Sequence, residues 1–372
     1  MPETQPQKPP LERATHFTQR VMDDLRDVQL SQTIRRDLKD TYEFYVDDET
    51  QRRLETMGTF KRTIYLSGYL IRSLFLKLAP TRRLLLLVGV VLTFIGMPDE
   101  EFQIILGLLS VLFVLGLELK DKLLAKDELA EGRSVQIALM PSENPKLPGW
   151  ETWLYTAPAN DVGGDLVDHL RIDEDRIALT LGDVAGKGLP AALMMAKLQA
   201  TLRALAPITG SLSDLGRQLN EIVVRDGLPS KFASLVFLEL TSHSGMIRLL
   251  NAGHLPPLIL RDNRIEELDR GDPAIGLTTE ARFKERIVHL DPGDMMLVYS
   301  DGLTEARNEI GRFFGEERLK ELLERLRDHS AEMAGDTLLK AVERFEQGAR
   351  RHDDLSMILI RRLKEKEDIS DL

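Results

Sequence analysis

Apolar and polar positions divide the chain into three textures. From Leu11 to Met57 charged residues dominate, and the apolar ones, among them Phe17, Val21, Leu25 and Val28, fall near helical spacing. From Phe60 to Ala79, Ile64, Leu66, Leu70, Ile71, Leu74 and Phe75 mix with Lys61, Arg62, Arg72 and Lys77, which predicts a basic amphipathic helix. Such a helix either lies at a membrane surface or packs on its own protein, and periodicity alone does not choose. Two nearly uncharged runs follow, Leu84 to Met97 and Phe102 to Leu117, separated by the acidic turn Pro98-Asp99-Glu100-Glu101. A bilayer core takes about 20 helical residues, so both runs are short. Arg82 and Arg83 can lengthen the first by snorkelling, and Glu118 closes the second. The pattern predicts a transmembrane helical hairpin over 81–119, with a buried or re-entrant helical pair as the alternative. Arg82, Arg83, Lys120 and Lys122 flank its outer ends, which puts both flanks in the cytoplasm and the acidic turn outside.

Good helix formers continue over 120–141 as a linker. Its heptad is imperfect: Leu119, Leu123, Ala130 and Ile137 share a seam with Lys126 and Arg133. It reads as a regulatory or dimerising helix, or as a plain spacer. The proline- and glycine-bearing stretch SENPKLPG then marks a boundary, so the globular domain is expected over 142–372. Beyond Trp150 short strand-like runs recur: WLYTA, RIALTLGDV, ASLVFLEL, MIRLLNAG, PPLILR, RIVHL, DMMLVYS and LSMILI. Helical runs interrupt them at Pro190 to Ala206, Glu316 to Leu326 and Asp336 to Phe345. Consecutive strands without regular strand–helix alternation predict an α+β fold.

Composition narrows the function. A net charge of −11 speaks against nucleic acid as a partner, because such binders carry a basic face. The chain has no cysteine, which excludes disulfides, cysteine-ligated metal centres and a thiol nucleophile. The first ten residues are polar and proline-rich, which predicts a disordered tail over 1–10 and no cleavable signal peptide.

The candidate chemistry lies where apolar runs stop. GDVAGKG invites a phosphate-loop reading, but its glycine spacing is wrong and no Ser or Thr follows Lys187. Aspartates repeat instead. Asp165 follows a Gly-Gly pair, Asp183 and Asp301 end strand-like runs, and Asp353 and Asp354 precede one. Neighbouring strands would bring these carboxylates to one rim. An all-oxygen cluster favours Mg²⁺ or Mn²⁺, and two such ions about 4 Å apart can hold a phosphoryl group and a bridging water. Asp168, Asp173 and Asp175 read as turn or surface charges.

The segments PANDVGGDLVD, GDVAGKGLPAALMMA, NAGHLPPLIL, YSDGLTEARN, FGEERL and DDLSMILI resemble, in order, the motifs of the metal-dependent protein phosphatases (the PPM, or protein phosphatase 2C-like, family). The resemblance is to the bacterial branch typified by the sporulation stage II protein E and the activators of stress sigma factors. It implies a four-layer α/β/β/α sandwich with two Mn²⁺ or Mg²⁺ ions between the sheets. It further implies that Asp183 bridges the ions, that the backbone carbonyl of Val184 is a ligand, and that Asp165, Asp301 and Asp353 complete the set. Asp353 is preferred to Asp354 as the first residue of its motif. Gly163, Gly164, Gly186 and Gly188 would shape the loops. The wider family's histidine two positions after the bridging aspartate is replaced here by Ala185, which leaves the general acid unassigned. His254 is a candidate by chemistry, although a structural turn histidine is the favoured reading. Lys187 either steers phosphate or is solvated. The implied function is a phosphoserine or phosphothreonine protein phosphatase at the cell membrane with its catalytic domain in the cytoplasm. A STAS-type anti-sigma-factor antagonist would be its substrate, and homodimerisation would run through the linker helix. The competing class is an inactive, membrane-tethered phosphoprotein-binding module.

Overall fold

A computed structural model describes residues 57–95, 101–226, 231–262, 264–349 and 351–364. The expected tail over 1–10, the helical region up to 56, the end of the first apolar run at 96–97 and residues 98–100 of the acidic turn lie outside the described residues. The chain divides into two compact units, Met1–Lys122 and Leu123–Leu372.

In the first unit, α1 (Thr59–Lys77) is the basic amphipathic helix, with Ile64 and Ile71 exposed. Arg83, on α2 (Pro80–Ile95), donates to the carbonyls of Leu78 and Leu76 and so satisfies acceptors left open where α1 ends. The third helix, α3 (Glu101–Leu139), runs without a break through the expected hairpin–linker boundary at 119/120 and on into the second unit. Helices α2 and α3 meet through small residues: a Cβ on Gly107 would come within 2.6 Å of the Gly89 carbonyl oxygen. The Ser110 hydroxyl donates to the Leu85 carbonyl at 3.1 Å. Arg82 donates to Glu118 at 2.7 Å and to Asp121 at 2.6 Å, so the two charges that bound the apolar runs neutralise each other. Among the described residues, the segment Phe102–Leu139 is long and apolar enough to cross a membrane, with a mean hydropathy of 2.3 over its best window. The 16 residues of α2 fall just short of the usual spanning length.

The second unit is built on two five-stranded antiparallel sheets. One orders β1 (Trp150–Ala157), β10 (Leu355–Arg362), β9 (Met295–Tyr299), β6 (Leu258–Arg261) and β7 (Arg264–Glu267). The other orders β2 (Asp165–Arg171), β3 (Arg176–Val184), β4 (Ala233–Thr241), β5 (Met246–Ala252) and β8 (Arg286–His289). Strands such as ASLVFLEL are apolar at nearly every position because both faces are covered. Val236, Leu238 and Leu240 join Met296, Val298, Ile358 and Ile360 in the core between the sheets. Leu235 and Phe237, pointing the other way, pack under α4 (Leu189–Leu205) and α5 (Leu212–Asp226), against Met195, Leu198, Leu215 and Leu219. On the far face, Leu319 and Leu323 of α7 (Glu316–Glu324) and Leu338 and Val342 of α8 (Ala331–Glu346) cover Leu297, Tyr299 and Leu359. A four-residue helix, α6 (Asp301–Thr304), follows β9 directly. The fold is the expected α+β sandwich of four layers.

Asp168 departs from expectation. It sits mid-strand in β2 and is buried, and Arg203 of α4 grips it with bonds of 2.7 and 2.8 Å. It is a structural ion pair joining helix to sheet, not a turn or surface charge. Asp173 does turn the chain, its carboxylate accepting from the backbone N–H of Asp175.

Candidate metal centre

The same end of both sheets collects the aspartates. In the β2/β3 ladder Asp165 and Asp183 are direct cross-strand partners. In the other sheet β9 and β10 are neighbours, so Asp301, two residues beyond the end of β9, and Asp353, two before the start of β10, come to one edge. The four therefore come as two pairs, one from each sheet. Among the described residues no three His, Asp or Glu side chains are drawn together as a ready-made cage.

The carboxylates act on one another electrostatically. Burial pushes the Asp183 carboxyl up to about 6, with Asp301, Asp353 and Asp354 adding repulsion and Lys187 opposing them. Asp301 is raised by burial and then by Asp353. Asp165 is raised well above the usual carboxylate range by burial, with the charge of Asp183 next in effect. Its Oδ2 is buried and has no hydrogen-bond partner. A carboxylate kept from water, orphaned at one oxygen and repelled by its neighbours fits a hard divalent cation. On that test the residues suit the implied ions.

Asp354, passed over by the sequence pattern, holds the rim together. Its buried carboxylate accepts from the backbone N–H of Ala159 at 2.8 Å, of Gly164 at 2.6 Å and of Asp165 at 3.3 Å. A strand of one sheet thereby fixes the loop that delivers Asp165 to the other. Gly163 is required here because a Cβ would collide with this carboxylate. From the other side the Gln136 amide pairs with both backbone groups of Gly163, at 2.7 and 3.1 Å, and is itself buried. A second loop forms around Gly186, whose φ of 110° suits glycine. There Lys231 donates to the carbonyl of Ala185 at 3.0 Å. Gly164 leaves room for the carbonyl of Val184, which would stand 3.2 Å from a Cβ at that position. Lys187 is bound, donating to Asp353 at 2.9 Å and to the carbonyl of His352.

His254 lies between the sheets. Its Nδ1 is 2.7 Å from the Ser234 hydroxyl and its Nε2 is 3.1 Å from the Tyr299 carbonyl. Since a carbonyl only accepts, Nε2 carries the proton and Nδ1 accepts from serine. Burial lowers the imidazole to about 4. Both nitrogens are engaged and burial favours the neutral ring, so the side chain links β4 of one sheet to the end of β9 of the other.

Comparison with known proteins agrees with this fold. RsbU, a phosphoserine phosphatase of Bacillus subtilis (strain 168), is 30% identical over 244 residues, covering 64% of this chain and 70% of RsbU. Protein IcfG of Synechocystis is 29% identical over 263 residues, and the match covers 63% of this chain but 41% of IcfG. The chain thus spans less than half the length of that relative. Among solved structures, the SiaA-PP2C domain of Pseudomonas aeruginosa superposes with a TM-score of 0.57 at 20% identity, over 65% of this chain and 98% of that one, which shows the shared fold. The RsbU and RsbW domains of Rv1364c from Mycobacterium tuberculosis give a TM-score of 0.50 at 26% identity, over 59% and 61% of the two chains. The family model for stage II sporulation protein E matches residues 173–363, which take in Asp183, Asp301 and Asp353 but begin after Asp165. That match spans half of the sequence, and with the extent of the likeness to RsbU it means that the chain belongs to the stage II sporulation protein E family.

Proposed function

We propose that this chain is a membrane-anchored, metal-dependent protein phosphatase acting on phosphoserine or phosphothreonine in a regulatory protein. The observation that carries the reading is the pairing of Asp165 with Asp183 in register, opposite Asp301 and Asp353 on the neighbouring sheet, with one buried Asp165 oxygen orphaned. Asp183 would bridge two Mn²⁺ or Mg²⁺ ions, with Asp165, Asp301, Asp353 and the carbonyl of Val184 as further ligands. The ions, when bound, lower the pKa of a water and polarise the phosphoryl group. Asp354 and Gln136 hold the Asp165 loop, and His254 keeps the sheets in register without exchanging a proton. RsbU and RsbP carry the name phosphoserine phosphatase, which supports the bond to be cleaved. The exposed apolar surface of α2 and α3, Phe94 and Phe113 included, supports a membrane anchor with the catalytic domain on the cytoplasmic side. Exposed Leu123, Leu124, Val135 and Ile137 on α3 support dimerisation through that helix. A STAS-type anti-sigma-factor antagonist is the proposed substrate, on the strength of the family.

The test is hydrolysis of an aryl phosphate by the full chain in detergent, with and without Mn²⁺, beside Asp183→Asn. Turnover that needs Mn²⁺ and disappears in the variant is expected. A folded protein that neither binds Mn²⁺ nor turns over would make it a binding module instead.

A further inference from the structure

A cleft of about 130 Å³ opens beside the metal rim. Its wall includes Asp353 and Gly302, so it touches the rim directly. Lys187, Arg307 and Arg351 bring positive charge to it, and two of these charges are already engaged. Lys187 is paired with Asp353. Arg351 is held by both oxygens of Glu346, at 3.1 and 3.2 Å.

Arg307 differs. Its guanidinium lies over the Phe313 ring, 4.8 Å from the centroid, and no carboxylate pairs with it among the described residues. A backbone bridge sets Arg307 opposite Phe313. The hairpin carrying both is closed by Phe314 N–H to the Ala306 carbonyl at 2.8 Å and Asn308 N–H to the Arg312 carbonyl at 3.1 Å. A guanidinium stacked by its face keeps its N–H edge available, and that edge matches the oxygens of a phosphoryl group. The rim needs such a charge. It carries four carboxylates, and exposed Glu305, which also lines the cleft, adds repulsion at Asp301.

We propose that Arg307 is the phosphate-binding residue of this site, donating to a non-bridging oxygen of the substrate's phosphomonoester while the ester lies at the rim. This rests on the phosphatase reading and adds to it the residue that holds the substrate dianion. The full chain is compared with Arg307→Ala and Arg307→Lys for aryl phosphate turnover, inhibition by orthophosphate, and calorimetric binding of orthophosphate to the Mn²⁺-loaded protein. Losing a hydrogen bond to a charged partner predicts about a tenfold or greater rise in both aryl phosphate KM and orthophosphate Ki for Arg307→Ala, and less for Arg307→Lys. Mn²⁺ affinity and the unfolding midpoint stay as in the parent. Values of KM and Ki within twofold of the parent overturn the proposal, as does a rise seen only with phosphopeptides, which would assign Arg307 to the flanking segment. A parent protein that binds orthophosphate but does not turn over sinks the phosphatase reading alone, because loss of that binding in Arg307→Ala still supports the cleft. A parent protein that does neither overturns both.

Discussion

Replacing Asp354 with alanine tests how the rim is held. The carboxylate is 7% exposed and serves three backbone donors. The bonds at 2.8 and 2.6 Å are short, while the third, at 3.3 Å, shares an oxygen with the second and adds little. Hydrogen bonds to a charged acceptor contribute about 1.5–3 kcal/mol each, so the two short ones set a range of about 3–6 kcal/mol. Two effects pull the loss toward the lower end. Water can reach the part-buried Ala159 N–H, and removing the charge relieves repulsion at Asp183 and Asp165. The expected destabilisation is about 3 kcal/mol, with a smaller loss in Asp354→Asn, which keeps one acceptor oxygen. Denaturant unfolding followed by tryptophan fluorescence measures it cleanly, because the chain's two tryptophans, Trp150 and Trp153, are both buried in β1 of the second unit. Since Asp354 orients the loop of Asp165, Mn²⁺ affinity should fall by about tenfold or more as well. A loss below about 1 kcal/mol with unchanged Mn²⁺ affinity would refute the assignment.

Other outcomes follow from the same reasoning. His254 is neutral in the folded chain down to about pH 4, but protonates near 6.5 when unfolded. Acidification through that window therefore favours unfolding, by about 3 kcal/mol once complete. The pH slope of stability between 6.5 and 4 should flatten by about one proton in His254→Gln, and an unchanged slope would refute the buried neutral ring. Arg203→Ala strands the buried Asp168 carboxylate and should cost about 2–3 kcal/mol, less than a fully buried pair because the arginine is half exposed. Adding Asp168→Ala should recover part of that loss in the same unfolding assay. Gly107→Leu should force α2 and α3 apart. A short bismaleimide would then no longer bridge cysteines placed at Leu85 and Ser110, a clean readout in a chain without native cysteine.

The strands of the inner core were legible because their apolar runs are long, and several stop at glycine or aspartate. The places of Asp183, Asp301 and Asp353 at the sheet ends were legible for the same reason, the first two standing where a run stops and the third just before one starts. Strand β2 was not, since DLVDHLR reads as polar. Its two aspartates are buried against a charge network that only the tertiary structure supplies. Helix α5 carried a signal in Leu212, Leu215, Leu219 and Val223, but Gly216 falls inside the pattern. That glycine lets Phe283 pack closely against the helix, a contact between distant segments. The resemblance preferred Asp353 to Asp354 as a ligand, but the backbone bonds that Asp354 accepts were hidden, because they depend on which way the chain turns each residue.

The meeting of rim carboxylates from two sheets has a consequence for how much of the protein a cell retains. Like charges held face to face disfavour that end of the sandwich electrostatically, so on the proposed function divalent-ion supply would act on folding as well as on turnover. At a free-ion concentration 100 times the dissociation constant, binding would add about 2.7 kcal/mol. A cell starved of these ions would then lose the protein itself to proteolysis, and the signalling step would fade by depletion as well as by inactivity.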